Sequence, residues 1–237
     1  MKKIYLPLIS AIIVALILNT VTYFYSSEKA SVGGETARKI PVIIIDAGHG
    51  GFDGGAVAND GTIEKDINLK ISLYLQEYLE LSGFETIMTR YEDTSLEDDG
   101  LNSIRQKKTS DIHNRLKIMD ETDNSIFISI HQNKYHIEKY SGLQVFYSPE
   151  FSEESSELAR NIQENVTEIL QPDNERQIKK CGTSVYLIYN AVKPAVLVEC
   201  GFLSNYNETE LLKTDIYQRK LAFSIASGVQ DYVYCKG

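Results

Sequence analysis

Four side chains, His49, Glu64, His131 and Glu199, have the types and settings needed for hydrolysis at a metal ion. His49 stands in Asp46-Ala-Gly-His-Gly-Gly51, directly after a β-branched apolar run, and His131 ends the run Ile126-Phe-Ile-Ser-Ile130. A single histidine at a strand end usually serves as a hydrogen-bonding residue. Two at the same edge of one sheet leave several donors and acceptors to satisfy, and a shared metal satisfies them together. Glu64 supplies a third ligand. Its alternative reading is a carboxylate placed in the first turn of a helix, where the helix dipole favours negative charge. Two imidazoles and one carboxylate leave the open position of a catalytic zinc site, where water binds. Glu199 closes the run Pro194-Ala-Val-Leu-Val, where an isolated carboxylate is expensive. Either an Arg or Lys pairs with it, or it is the base that such a water needs.

These residues need a scaffold that brings them to one edge. Residues 42–45, 84–88, 126–130, 143–147, 185–188 and 195–198 read as strands. Between them, residues 64–81 place Ile67, Ile71, Tyr74 and Tyr78 at helical spacing, with Thr62 as N-cap and Gly83 just past the end. Residues 103–121, 153–170 and 216–233 are the other long helices. Strands alternating with such helices predict an α/β fold, a largely parallel six-stranded sheet covered on both faces. Functional groups in such sheets gather beyond the C-terminal strand ends, which is where 46–51 falls. A phosphate loop is a poor account of those glycines, because neither Gly-Lys-Ser/Thr nor G-x-G-x-x-G follows His49.

The 237 residues, 43% of them hydrophobic, suffice for one substantial core. A formal charge of −9 argues against a nucleic-acid partner, which would call for a basic face. Lys2 and Lys3 precede an uncharged apolar stretch, so residues 1–25 are expected to be a signal anchor or signal peptide, tying the chain to a membrane or exporting it. No clear small-residue cleavage site follows. Residues 26–40 read as a linker and 41–234 as the catalytic domain. Cys181, Cys200 and Cys235 are an odd set for an exported domain, so at least one is unpaired, and no zinc-ribbon spacing occurs.

In this order, Asp46-Ala-Gly-His-Gly-Gly51, Glu64-Lys-Asp-x-Asn68, Ser129-Ile-His-x-Asn133 and Val198-Glu-Cys-Gly-Phe-Leu-Ser-Asn205 resemble the zinc-dependent N-acetylmuramoyl-L-alanine amidases of bacterial cell-wall hydrolysis. The resemblance spans about 41–232. It implies that His49, Glu64 and His131 bind zinc, that Glu199 is the catalytic acid/base, and that the fold is a mixed sheet flanked by helices. The implied substrate is the amide joining the lactyl group of N-acetylmuramic acid to L-alanine in peptidoglycan. Within the family, the short single domain, the hydrophobic N-terminus and Tyr217-Gln-Arg-Lys-Leu-Ala-Phe223 are most similar to the sporulation and germination amidases of endospore formers. Those act on spore cortex, on the way to muramic-δ-lactam.

That resemblance places the domain outside the cytoplasm, on the cortex side of the forespore intermembrane space, with peptidoglycan strands and their stem peptides as partners. Asn68 and Asn133 follow ligands closely and read either as groups that orient them or as loop caps. Arg115 and His113 lie on a helix and read as surface or sheet-packing residues. Two alternatives remain: a zinc peptidase trimming stem peptides, and a non-catalytic wall-binding module. No wall-binding repeats occur. The connection from His131 to Glu199 has little room for an inserted helix that would plug the site, which points to control by expression timing or by an accessory protein.

Overall fold

The structure, a computed structural model, describes residues 39–235. The expected N-terminal segment 1–25 and nearly all of the linker 26–40 lie outside the described residues. Among those described, six strands and six helices follow one another as β1 (Val42–Ala47), α1 (Glu64–Leu81), β2 (Thr86–Met88), α2 (Ile104–Glu121), β3 (Ser125–Asn133), β4 (Gln144–Tyr147), α3 (Ser152–Ile169), β5 (Lys179–Lys180), α4 (Tyr186–Tyr189), β6 (Ala195–Phe202), α5 (Tyr206–Leu212) and α6 (Asp215–Tyr234). The strands form one sheet in the order β2-β1-β3-β6-β4-β5. Every pairing is parallel except β4 with β6, so the sheet is mixed and largely parallel, as expected. Among the described residues, no helix is long and apolar enough to cross a membrane.

Strands buried on both faces explain the unbroken apolar runs. One face carries Ile43, Ile45, Ile128, Ile130, Val196 and Val198 against α1, α3 and α6, through Ile71, Leu75, Leu158, Ile162, Ile225 and Val229. The other carries Ile44, Phe127, Ala195 and Leu197 against Met119 of α2 and Ile188 of α4. Each fully buried side chain of this size contributes about 1.5–3 kcal/mol, which fixes the register against a one-residue slip.

Two expectations are corrected. Residues 185–188 form no strand: the short helix α4 takes them, because a four-residue apolar run has no period by which helix and strand can be told apart. The sixth strand is instead the exposed pair Lys179–Lys180, a short charged edge of the kind that resists further strand addition. Thr62 is not the cap of α1. Ile63 holds that position without a side-chain bond, and the first amides of the helix are taken by carbonyls of the preceding loop, Glu64 N to Ala56 O at 2.9 Å and Lys65 N to Gly54 O at 3.2 Å. The helix start is thus fastened to the loop that carries His49. Gly83 follows the helix end at φ 87°, as its placement suggested.

Candidate metal centre

His49, Glu64 and His131 come together at the C-terminal edge of β1 and β3. One donor atom from each lies within 4.8 Å of the other two, a grouping able to hold a metal ion. Glu64 Oε1 lies 3.3 Å from His49 Nε2 and 2.9 Å from His131 Nδ1. The two rings meet edge to face with centroids 4.8 Å apart. Glu64 is buried, yet it is more than a dipole-favoured helix start. Its Oε2 accepts from Ala56 N at 2.7 Å and its Oε1 from Gln132 N at 3.0 Å. Burial raises the Glu64 pKa and the two imidazoles lower it by more, so the carboxyl sits well below its usual range.

The glycines around His49 now have a reason. A Cβ on Gly48 would stand 2.2 Å from Nε2 of His131, so the ring occupies the place of a side chain. On Gly55, at φ +70°, a Cβ would meet Glu64 Oε2 at 2.5 Å and His49 Cδ2 at 2.6 Å. His49 itself adopts φ 61°, in the left-handed region. A tight turn at Gly50 and Asp53 folds Asp53 back so that its Oδ2 lies 3.0 Å from His49 Nδ1, which leaves Nε2 facing Glu64. Lys108 holds the other Asp53 oxygen at 2.9 Å. Burial lowers the His49 pKa, but Asp53 and Glu64 outweigh it and raise it to about 9.

Glu199 sits one strand over, in register with His131, and a register irregularity between His131 and Asn133 follows the pair. Among the described residues, no Arg or Lys pairs with Glu199. Glu199 Oε2 is closed off from solvent and is without a hydrogen-bond partner among the described residues. Burial pushes its pKa up to about 7, against the nearby histidines, which lower it. Asn68 donates to Gly48 O at 3.1 Å and to Glu64 Oε1 at 3.3 Å, while its own oxygen accepts from Gln132 at 3.2 Å. Asn133 offers its backbone carbonyl to Leu203 N.

Sequence reasoning missed Asp53 and Gln132, although Asp53 lies four residues after His49 and Gln132 inside the Ser129–Asn133 motif. Of the two readings of Arg115, surface or sheet-packing, the structure has the second: the residue is buried against the end of β1 and bonded to the His49 loop. His113 is exposed, its ring 5.8 Å from that of Tyr186. All three cysteines are free, Cys181 and Cys200 buried and Cys235 exposed.

A family model described as N-acetylmuramoyl-L-alanine amidase matches residues 43–231. The germination-specific N-acetylmuramoyl-L-alanine amidase of Bacillus subtilis is 37% identical over 196 residues, 83% of this chain and 81% of that protein. Among solved structures, the CwlD amidase of Clostridioides difficile in complex with the GerS lipoprotein is 41% identical with a TM-score of 0.79, covering 83% of this chain and 100% of that one. An N-acetylmuramoyl-L-alanine amidase from Clostridium difficile 630 is 26% identical with a TM-score of 0.71, over 84% and 99% of the two chains.

Proposed function

The chain belongs to the N-acetylmuramoyl-L-alanine amidase family, and from that premise we propose a zinc-dependent amidase that frees the L-alanine amine from the lactyl group of N-acetylmuramic acid. The observation that carries the zinc reading is the convergence of His49, Glu64 and His131, with Gly48 and Gly55 leaving room for their side chains. Two imidazole nitrogens and a carboxylate oxygen suit zinc, and in this reading those three residues hold it. When bound, zinc supplies Lewis acidity that polarises the lactyl carbonyl and brings the pKa of water toward about 7.

The protein's own residues do the rest. Asp53 fixes the His49 ring by accepting at Nδ1, and Asn68 and the Gln132 amide fix Glu64. Glu199 Oε2, unengaged and closed off, takes the proton of the attacking water and returns it to the alanine nitrogen as the C–N bond breaks. No covalent enzyme intermediate is needed.

The finer reading is spore cortex as substrate, as a step toward muramic-δ-lactam, with the domain held or released outside the cytoplasm. The germination-specific relative supports it. An accessory protein is supported by the CwlD amidase, which is seen with a lipoprotein. Mass spectrometry of intact muropeptides incubated with the protein separates the readings. An amidase releases the whole stem peptide with a free L-alanine amine, whereas a stem-peptide peptidase releases a terminal amino acid and a wall-binding module leaves the mass unchanged.

A further inference from the structure

Arg115 lies on α2, the helix before the strand that carries His131, and is buried to 3% exposure. Its guanidinium donates in five directions at one place. Nε bonds Asp111 Oδ2 at 2.7 Å and Nη2 bonds Asp111 Oδ1 at 3.2 Å. Nη1 reaches Asp46 Oδ1 at 2.5 Å and Ala47 O at 3.0 Å, and Nη2 reaches His49 O at 2.8 Å. Arg90 closes on the same segment from the other side, with Nε 2.9 Å from Ala47 O and Nη2 3.2 Å from Gly48 O. Three successive carbonyls therefore end on arginines just where β1 leaves the sheet. Asp46, which aims Arg115, is itself fixed by Thr89 at 2.9 Å and Ser129 at 2.6 Å.

The segment held in this way contains His49 at φ 61°. A non-glycine residue in a sparsely populated conformation is strained and persists where the surroundings over-determine it. Carbonyls leaving a strand also need donors, and a buried carbonyl without one is costly. We infer that Arg115 is a positioning residue for metal binding: its planar fork holds the Ala47 and His49 carbonyls at once, and so keeps the imidazole of His49 aimed at Glu64 and His131 before any ion arrives. The inference rests on the zinc reading of that site. A lysine keeps the charge that Asp46 needs but, as a single point donor on a flexible stem, cannot span Asp46, Asp111 and two carbonyls.

The test is zinc affinity of the full chain, read by competition with a chromophoric chelator, together with the absorption spectrum of the cobalt-substituted protein and the thermal midpoint without metal. Arg115→Lys is expected to fold, to bind zinc at least tenfold more weakly, and to change the cobalt spectrum. Arg90→Lys is expected to shift affinity in the same direction. Val166→Ala, in the α3 core away from the site, lowers the thermal midpoint and leaves zinc affinity as it was. A folded Arg115→Lys with wild-type zinc affinity and cobalt spectrum overturns the inference. Should Arg115→Lys fail to fold, Asp111→Ala, which removes the carboxylate that accepts from Nε and Nη2 of Arg115 at a part-exposed position, is judged by the same two readouts. Wild-type protein that binds no zinc, or binds it as tightly after His49→Ala, overturns the metal-site reading instead, which keeps the two failures apart.

Discussion

Gly48→Ala is a one-methyl perturbation aimed at the centre of the site. The glycine does not have a positive φ, so alanine can adopt its backbone without strain, and the whole effect must come from what the methyl meets. That is the His131 ring, with Nε2 at 2.2 Å, Cε1 at 2.4 Å and Cδ2 at 2.7 Å, where even 3.0 Å is a limit real Cβ atoms do not cross. The imidazole has to retreat by about 1 Å, and a displacement of that size in a catalytic constellation costs on the order of 10²-fold in rate. Overpacking of this kind costs about 1–3 kcal/mol in stability, which leaves the domain folded. Thermal melting, zinc stoichiometry and turnover on purified peptidoglycan, measured on one preparation, are expected to show a folded variant that has lost zinc affinity and activity. Gly182→Ala, which meets nothing within 4 Å, is the matched control. A folded Gly48→Ala protein with wild-type zinc content and turnover would refute the placement of His131 against Gly48.

Groups around the site respond to substitution and to pH in ways that can be measured. Asp53→Ala frees the His49 ring and is expected to weaken zinc binding by about 10–100-fold, checked by chelator competition, with Asp53→Asn losing less. Asp46→Ala strips Arg115 of its buried partner and is expected to cost about 3–5 kcal/mol in denaturant titration. The fold holds the Asp46 carboxyl below its ordinary 3.8: burial raises it, and Arg115 with Ser129 lowers it by more. The stability this group supplies is therefore complete above 3.8 and is lost as pH falls through the lowered value, so in Asp46→Asn the part of the acid loss due to this group is absent from pH-dependent melting. Native protein is expected to react with a thiol reagent at one of its three cysteines, Cys235, and at all three in denaturant.

Much of this was readable because the chemistry sits where the sequence changes character. Apolar runs that lead into the His49 loop and end at His131 and Glu199 announce both buried strands and the groups beyond them, and Gly83 marks the end of α1, whose start is set by loop carbonyls that Thr62 did not signal. What was hidden depended on pairs distant in sequence. Nothing local marks Lys179–Lys180 as a strand, since its only warrant is the edge of β4 beside it. Asp53 and Arg115 act through the His49 loop, and their roles exist only once that loop turns left-handed at His49. The helix α5 follows a signal within reach of sequence: Asn205 caps it by accepting from Glu208 N, while Glu208 Oε2 accepts from Phe202 N at 2.7 Å.

In the proposed reading two carboxylates divide the labour, Glu64 holding zinc and Glu199 moving the proton. Zinc content and turnover measured on the same samples of wild type, Glu64→Ala and Glu199→Gln test it most directly. Glu64→Ala is expected to lose metal and activity together. Glu199→Gln keeps the shape without the base, and is expected to retain near-normal zinc while turnover drops by about 10²–10⁴-fold. A Glu199→Gln protein that has lost its zinc, or that turns over at the wild-type rate, would contradict the assignment.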